Sequence, residues 1–140
     1  MNMKFISSTV HGVLDYLSGI LLIILPLIML PASAPQIAII LPVAAGVLIL
    51  VMAVFTNYEL GLVRKIGMAN HVMIDNGLGV FIAVSPWLFG FYEVTSALHL
   101  IAGIFIITVG MFTNSLTTTN QHDTKLPGEI TRDFLGQKGG

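Results

Sequence analysis

The chain has 140 residues, of which 55% are hydrophobic and 9% charged, with a net charge of -1 and a mean hydropathy of +0.91. Soluble domains carry about 25% charged residues, so this chain has too few to clothe a water-facing surface. The near-neutral charge supplies no basic footprint for nucleic acid. The absence of cysteine excludes disulfides, thiolate metal sites and a cysteine nucleophile.

Four apolar segments follow one another at residues 12–30, 37–56, 72–91 and 97–113. The first contains one charged residue, Asp15, and the third contains one, Asp75; the second and fourth contain none. Each reaches the about 17–25 residues that a helix needs to cross a bilayer. Backbone polar groups in lipid must be satisfied within their own segment, so all four are predicted to be transmembrane helices. Lys4, the first apolar run and Ala32-Ser33-Ala34 also resemble a secretory leader with its cleavage site. Pro35 just after the cut suits the peptidase poorly, and the run matches the third segment position for position. It is therefore read as a retained span.

The positive residues are Lys4, Arg64, Lys65, Lys125, Arg132 and Lys138. They fall before the first segment, between the second and third, and after the fourth. The positive-inside rule then puts both termini and the middle loop in the cytoplasm of a multi-pass cell (inner) membrane protein. Trp87 and Tyr92 fall near the outer interface, as anchors. Residues 1–114 are read as one transmembrane domain. Residues 115–140 are read as a flexible polar cytoplasmic tail, with a short amphipathic turn around residues 130–135.

The chain repeats itself. "HGVLDYLSG" from His11 returns as "HVMIDNGLG" from His71, and His11, Asp15, Gly19 and Pro26 align with His71, Asp75, Gly79 and Pro86 at an offset of 60. "AGVLILVMAVFTN" from Ala45 aligns with "AGIFIITVGMFTN" from Ala102 at an offset of 57. The predicted fold is thus an all-α membrane protein of four transmembrane helices, a tandem duplication of a two-helix hairpin. Repeat 1 covers about residues 5–57 and repeat 2 about residues 66–114. An even number of spans per unit makes this a parallel repeat, with a pseudo-two-fold axis along the membrane normal.

"SPWLFGF" at residues 85–91, on a helix that begins with His and Asp, resembles the SPW-repeat family of small integral membrane proteins. The resemblance covers the four helices, about residues 5–114. It implies hairpin repeats with Ser-Pro-Trp in the first helix of each. The first repeat departs from the motif, reading Leu25-Pro26-Leu27 and keeping only the proline. The resemblance supports the fold and implies no catalytic residues.

His11, Asp15 and Gly19 are spaced to share one helix face, as are His71, Asp75 and Gly79. Gly19 and Gly79, with Gly46, Gly103 and Gly110 on the second helices, are predicted to let helices pack closely. Pro26 and Pro86 are predicted to kink their helices. Asn57 and Asn114 suit left-handed caps. His99 has Pro42 as its counterpart and is predicted to be interfacial.

Two His, two Asp, two Thr and two Asn are therefore expected at one membrane face. In one reading the His-Asp pairs hold helices together, in a non-catalytic protein that packs against itself as a homo-oligomer or against a membrane partner. In a second they form a candidate ion or proton site, His11, Asp15, His71 and Asp75, in a small proton or divalent-cation transporter or channel. In a third they bind a divalent metal or haem in a redox protein. No cofactor is specified by the sequence, and an enzyme is the less favoured class.

Overall fold

A computed structural model describes residues 5–114. The tail at 115–140 and its amphipathic turn lie outside the described residues. The chain forms four helices, α1 (Ser8–Met29), α2 (Gln36–Phe55), α3 (Met68–Leu88) and α4 (Tyr92–Phe112).

Both odd-numbered helices start about one turn earlier than the apolar runs suggest. Ser7 caps α1, its side chain accepting the Val10 N–H at 3.3 Å. Gly67 precedes α3. His11 and His71 therefore sit in the first turn of their helices rather than before them. The even-numbered helices do not end on left-handed asparagines. They leave the helix at Thr56 (φ -80°, ψ 142°) and Thr113 (φ -79°, ψ 134°), both extended.

Those extended ends are used in pairing. Ile66, before α3, forms a parallel bridge with Thr56 at the end of α2; Ile6, before α1, forms the same bridge with Thr113 at the end of α4. Asn57 N–H donates to the Ile66 carbonyl (2.7 Å) and Asn114 N–H to the Ile6 carbonyl (2.9 Å). Each hairpin's leading segment thus satisfies backbone groups at the end of the other hairpin, where a helix terminus leaves carbonyls without intrahelical donors.

Within each hairpin, glycine faces glycine. A Cβ on Gly46 would lie 2.6 Å from the Gly19 carbonyl oxygen, and one on Gly79 would lie 2.9 Å from the Gly103 carbonyl oxygen. Backbone meets backbone across α1–α2 and across α3–α4, which small residues alone permit. Gly110 instead accommodates Asn76, whose Oδ1 would be 2.5 Å from an added Cβ. Between the hairpins, Leu22, Ala45, Ile49, Ile82 and Ile106 form the apolar centre.

The distribution of side chains is inverted relative to a water-soluble bundle. Ile20, Leu27 and Ile28 of α1, Val51 of α2, Val80 and Val84 of α3, and Ile101 and Ile104 of α4 are exposed. His11, Asp15, His71, Asp75, Thr95 and His99 are buried. Apolar outside and polar inside is the arrangement a bilayer rewards. Three helices, α1, α2 and α4, are long and apolar enough to cross a membrane. α3 is less apolar, because Asn70, His71, Asp75, Asn76 and Ser85 dilute its apolar residues.

The prolines lie inside helices: Pro26 in α1, Pro42 in α2 and Pro86 in α3. Proline has no N–H, so it leaves the carbonyl four residues earlier without its usual donor. At Pro86 that carbonyl belongs to Ile82, and the neighbouring Ser85 Oγ donates to it at 2.8 Å. This gives the Ser-Pro pair a physical reason. Replacing Ser85 with alanine is expected to leave a buried carbonyl unsatisfied at a cost of about 1–3 kcal/mol, read as a lower thermal midpoint in detergent. Gly90 then closes the turn into α4 with φ +73°, a left-handed conformation that suits glycine.

His99 differs from its sequence expectation. It is fully buried rather than interfacial, packs on Phe91 with ring centroids 5.0 Å apart, and its Nδ1–H donates to the Thr95 carbonyl at 3.1 Å. Thr95 carries the non-helical backbone inside α4 (φ -156°, ψ 37°).

Candidate functional site

The two His-Asp pairs converge. α1 and α3 start at the same end of the bundle, and the i, i+4 spacing turns each histidine and aspartate inward together. The burial pattern of residues 11–20 repeats at 71–80 except at position 14 against 74. The four side chains meet at the centre, with relative side-chain exposures of 1% (His11), 7% (Asp15), 0% (His71) and 4% (Asp75).

The pairs interlock. His71 Nε2 lies 2.9 Å from Asp15 Oδ2 of the other hairpin and 2.9 Å from Asp75 Oδ2 of its own. His11 Nε2 lies 3.3 Å from Asp75 Oδ2 and 3.3 Å from Asp15 Oδ1. One potential ligand atom from each residue can be chosen so that all lie within 4.8 Å of one another.

The two threonines define which nitrogen faces the centre. Thr56 Oγ1 donates its proton to the Met52 carbonyl (2.6 Å), and Thr113 Oγ1 donates to the Val109 carbonyl (2.6 Å). Each hydroxyl is then left with acceptor capacity only, toward a histidine Nδ1 at 2.7 Å. The Nδ1 of each imidazole must therefore be the N–H donor. In the neutral ring, Nε2 is then a lone pair pointed at carboxylate oxygens. A proton or a cation has to lie between them, the proton on either the imidazole or the carboxyl. The sequence indicated the threonines as helix ends. Their role behind the histidines depends on contacts such as the His11–Thr113 bond, between residues 102 apart in sequence.

The rim differs between the hairpins. Tyr58, after α2, is buried against Gly12, where a Cβ would collide with its ring. It stands 6.3 Å from His71 in centroid distance. Burial pushes the Tyr58 phenol up from its ordinary pKa, and the Asp15 carboxylate adds to this. Outside it, Ser8 Oγ lies 2.9 and 2.7 Å from the two carboxylate oxygens of Glu59, which holds that carboxyl below its usual range. Tyr16 OH donates to the Leu60 carbonyl at 3.3 Å. These contacts fasten the loop after α2 over one side of the site.

Of the other residues singled out in the sequence, Gly19, Gly46, Gly79 and Gly103 lie at the helix contacts next to the site. Pro26 and Pro86 lie farther along the bundle, and Trp87 and Tyr92 are exposed near its other end. Sequence reasoning did not single out Tyr58, Ser18 or Asn76. No periodic or repeated signal marks them, since Tyr16 stands where the second repeat has Asn76.

The His-Asp cluster lies inside a bundle of mostly apolar helices. The SPW repeat domain matches residues 9–113, nearly the whole described region. The chain belongs to the SPW repeat domain family. The SPW repeat domain thus spans all four helices, the Ser85-Pro86-Trp87 motif and the His-Asp cluster, in an integral membrane protein. No curated protein and no solved structure matches the chain.

Proposed function

We propose that this SPW repeat protein is a non-catalytic membrane protein that holds a divalent cation of the zinc type between His11, Asp15, His71 and Asp75. The observation that carries the reading is the convergence of both Nε2 atoms on both carboxylates, with 2.9–3.3 Å between them. A tetrahedral zinc with bonds of about 2.0–2.1 Å separates its ligand atoms by about 3.3 Å. The separations from His71 Nε2 to Asp15 Oδ2 and from both Nε2 atoms to Asp75 Oδ2 lie near that value, and one ligand atom of each residue lies within 4.8 Å of the others, which supports a small ion at the centre. Two nitrogens and two oxygens, with no thiolate, suit zinc among the available metals. Charge agrees: two carboxylates and two neutral imidazoles balance one divalent ion, and a net-neutral group is the least costly to bury.

Haem ligation fits less well. The imidazoles meet edge to face with centroids 5.2 Å apart and share the carboxylates between them, which leaves no slot for a porphyrin. A second reading has its own support, since every Nε2 already has a carboxylate partner. Filled with protons instead of metal, the same four groups form a clasp between hairpins.

All four helices cross the membrane in this proposal, α3 with His71, Asp75 and Ser85 turned inward. Arg64 and Lys65 support a cytoplasmic position for the α2–α3 loop, and with it for the site, in the cell membrane.

The test is metal content by mass spectrometry on protein purified in mild detergent, with zinc added and then removed by gel filtration. Near-stoichiometric retention is expected. Retention no greater than in the Asp15→Asn/Asp75→Asn variant would leave the clasp as the better account. The threonines give a finer prediction. Thr56→Val and Thr113→Val keep shape but remove the acceptor behind each histidine. Each is expected to weaken zinc affinity about 10–100-fold, measured by competition with a chelator, while helicity is unchanged.

A further inference from the structure

We propose that the cation site keeps one open coordination position, on the face opposite His71, filled by a single water-sized ligand. The inference rests on the cation reading above and specifies what that ion would bind.

A tetrahedron of four ligands has four faces. A cavity of about 10 Å³ adjoins the cluster, lined by His11, Asp15 and Asp75, while His71 does not line it. Those three residues define the face opposite His71. A donor atom capping that face makes a five-coordinate centre, with His71 and the incoming atom on one axis. Closed four-ligand zinc sites are structural, whereas sites that exchange ligands keep such a position open.

The polar partners in the cavity suit water. Asp75 Oδ1 is buried and has no hydrogen-bond partner, unlike Oδ2, which faces both histidines. Ser18 also lines the cavity, and its Oγ donates to the Asp15 carbonyl at 3.2 Å, leaving acceptor capacity free. A water whose lone pair faces the ion has two O–H groups to give, one to Asp75 Oδ1 and one to Ser18 Oγ. A buried water needs about 10–15 Å³ and two to four polar partners, which this cavity supplies. Leu14 and Val109 are among the apolar walls, so a larger or hydrated ligand is disfavoured. A neutral ligand also preserves the neutrality of the ion with its two carboxylates.

The opposite side of the cluster is closed. Ala53, Tyr58, Met68 and Val72 pack there as an apolar group, with Tyr16 and Leu60 against it. The cavity that would hold the open position is lined mainly from α1 and α4, with Ile49 of α2 and Asp75 of α3.

Cobalt(II) chloride is the probe, because its visible spectrum separates four-coordinate from five-coordinate centres. The metal-free protein in detergent is titrated with cobalt, alongside two cavity-filling variants, Ser18→Val and Val109→Leu, which act from opposite walls. The expected result is a weakly absorbing five-coordinate spectrum for the natural chain. Absorbance should rise several-fold to the four-coordinate form in at least one variant that keeps its helicity and binds one cobalt. An intense four-coordinate spectrum in the natural chain overturns the open position and leaves the cation site standing. Failure of the natural chain to take up cobalt or zinc overturns the cation site, and this inference with it. A five-coordinate spectrum unchanged in both folded variants also overturns the inference, because the fifth ligand would then lie outside this cavity.

Discussion

Zinc is expected to raise the thermal midpoint of the natural chain in detergent and to leave that of the Asp15→Asn/Asp75→Asn variant where it was. A ligand that binds only the folded state stabilises it by about 2.7 kcal/mol when present at 100 times its dissociation constant. That margin applies to the natural chain alone, because the variant keeps two imidazoles and loses both anionic ligands. Asparagine is the informative substitution. Its amide can donate to the lone pair on each Nε2, so the cluster stays hydrogen-bonded without an ion. The metal-free variant should therefore fold with little loss. Without metal the natural chain is the proton-filled clasp under either reading, so the zinc response decides between them. No zinc response in the natural chain would overturn the cation site and favour the clasp. The same two proteins, with and without zinc, thus separate the readings.

The site was partly legible because it is written twice. His11 and Asp15 share a face at i, i+4, and the same pair returns at His71 and Asp75, so helical geometry put each pair on one face and the even number of spans between them put both pairs at one end. Whether the pairs meet could not follow from spacing. That depends on how the hairpins pack, and the structure joins His71 of one hairpin to Asp15 of the other. The fold was legible from apolar run length, yet the helix starts were not. Polar Ser7 and flexible Gly67 lie outside any hydrophobic pattern while deciding where α1 and α3 begin. α3 is the least apolar of the four helices, because His71, Asp75 and Ser85 are buried in the interior. His99 was misplaced. A histidine near the end of an apolar run looks interfacial, but the non-helical turn at Thr95 and the Phe91 ring enclose it.

The largest structural loss is expected from Gly103→Val. An added Cβ at Gly103 would run into the Gly79 carbonyl oxygen, and it would lie 2.6 Å from both the Ala83 Cβ and the Ala83 backbone nitrogen. Two of these three obstacles are backbone atoms, which cannot rotate away as a flexible side chain can. Overpacking of this kind costs about 1–3 kcal/mol and more where the backbone must move. Here α3 and α4 must separate. Gly79 stands one turn from Asp75, so the displacement also moves a cluster carboxylate relative to Thr113 on α4. A lower thermal midpoint and weaker zinc retention should therefore appear together. Gly77→Ala is the matched control on the same hairpin. An added Cβ there meets nothing within 4 Å, and alanine favours a helix over glycine by about 1 kcal/mol. That variant is expected to be as stable as the natural chain or more so, with zinc retention unchanged. If Gly103→Val and Gly77→Ala melt alike, the close approach of α3 and α4 at Gly79 and Gly103 does not hold the hairpin together. The route from helix packing to the geometry of the cluster would then be lost as well.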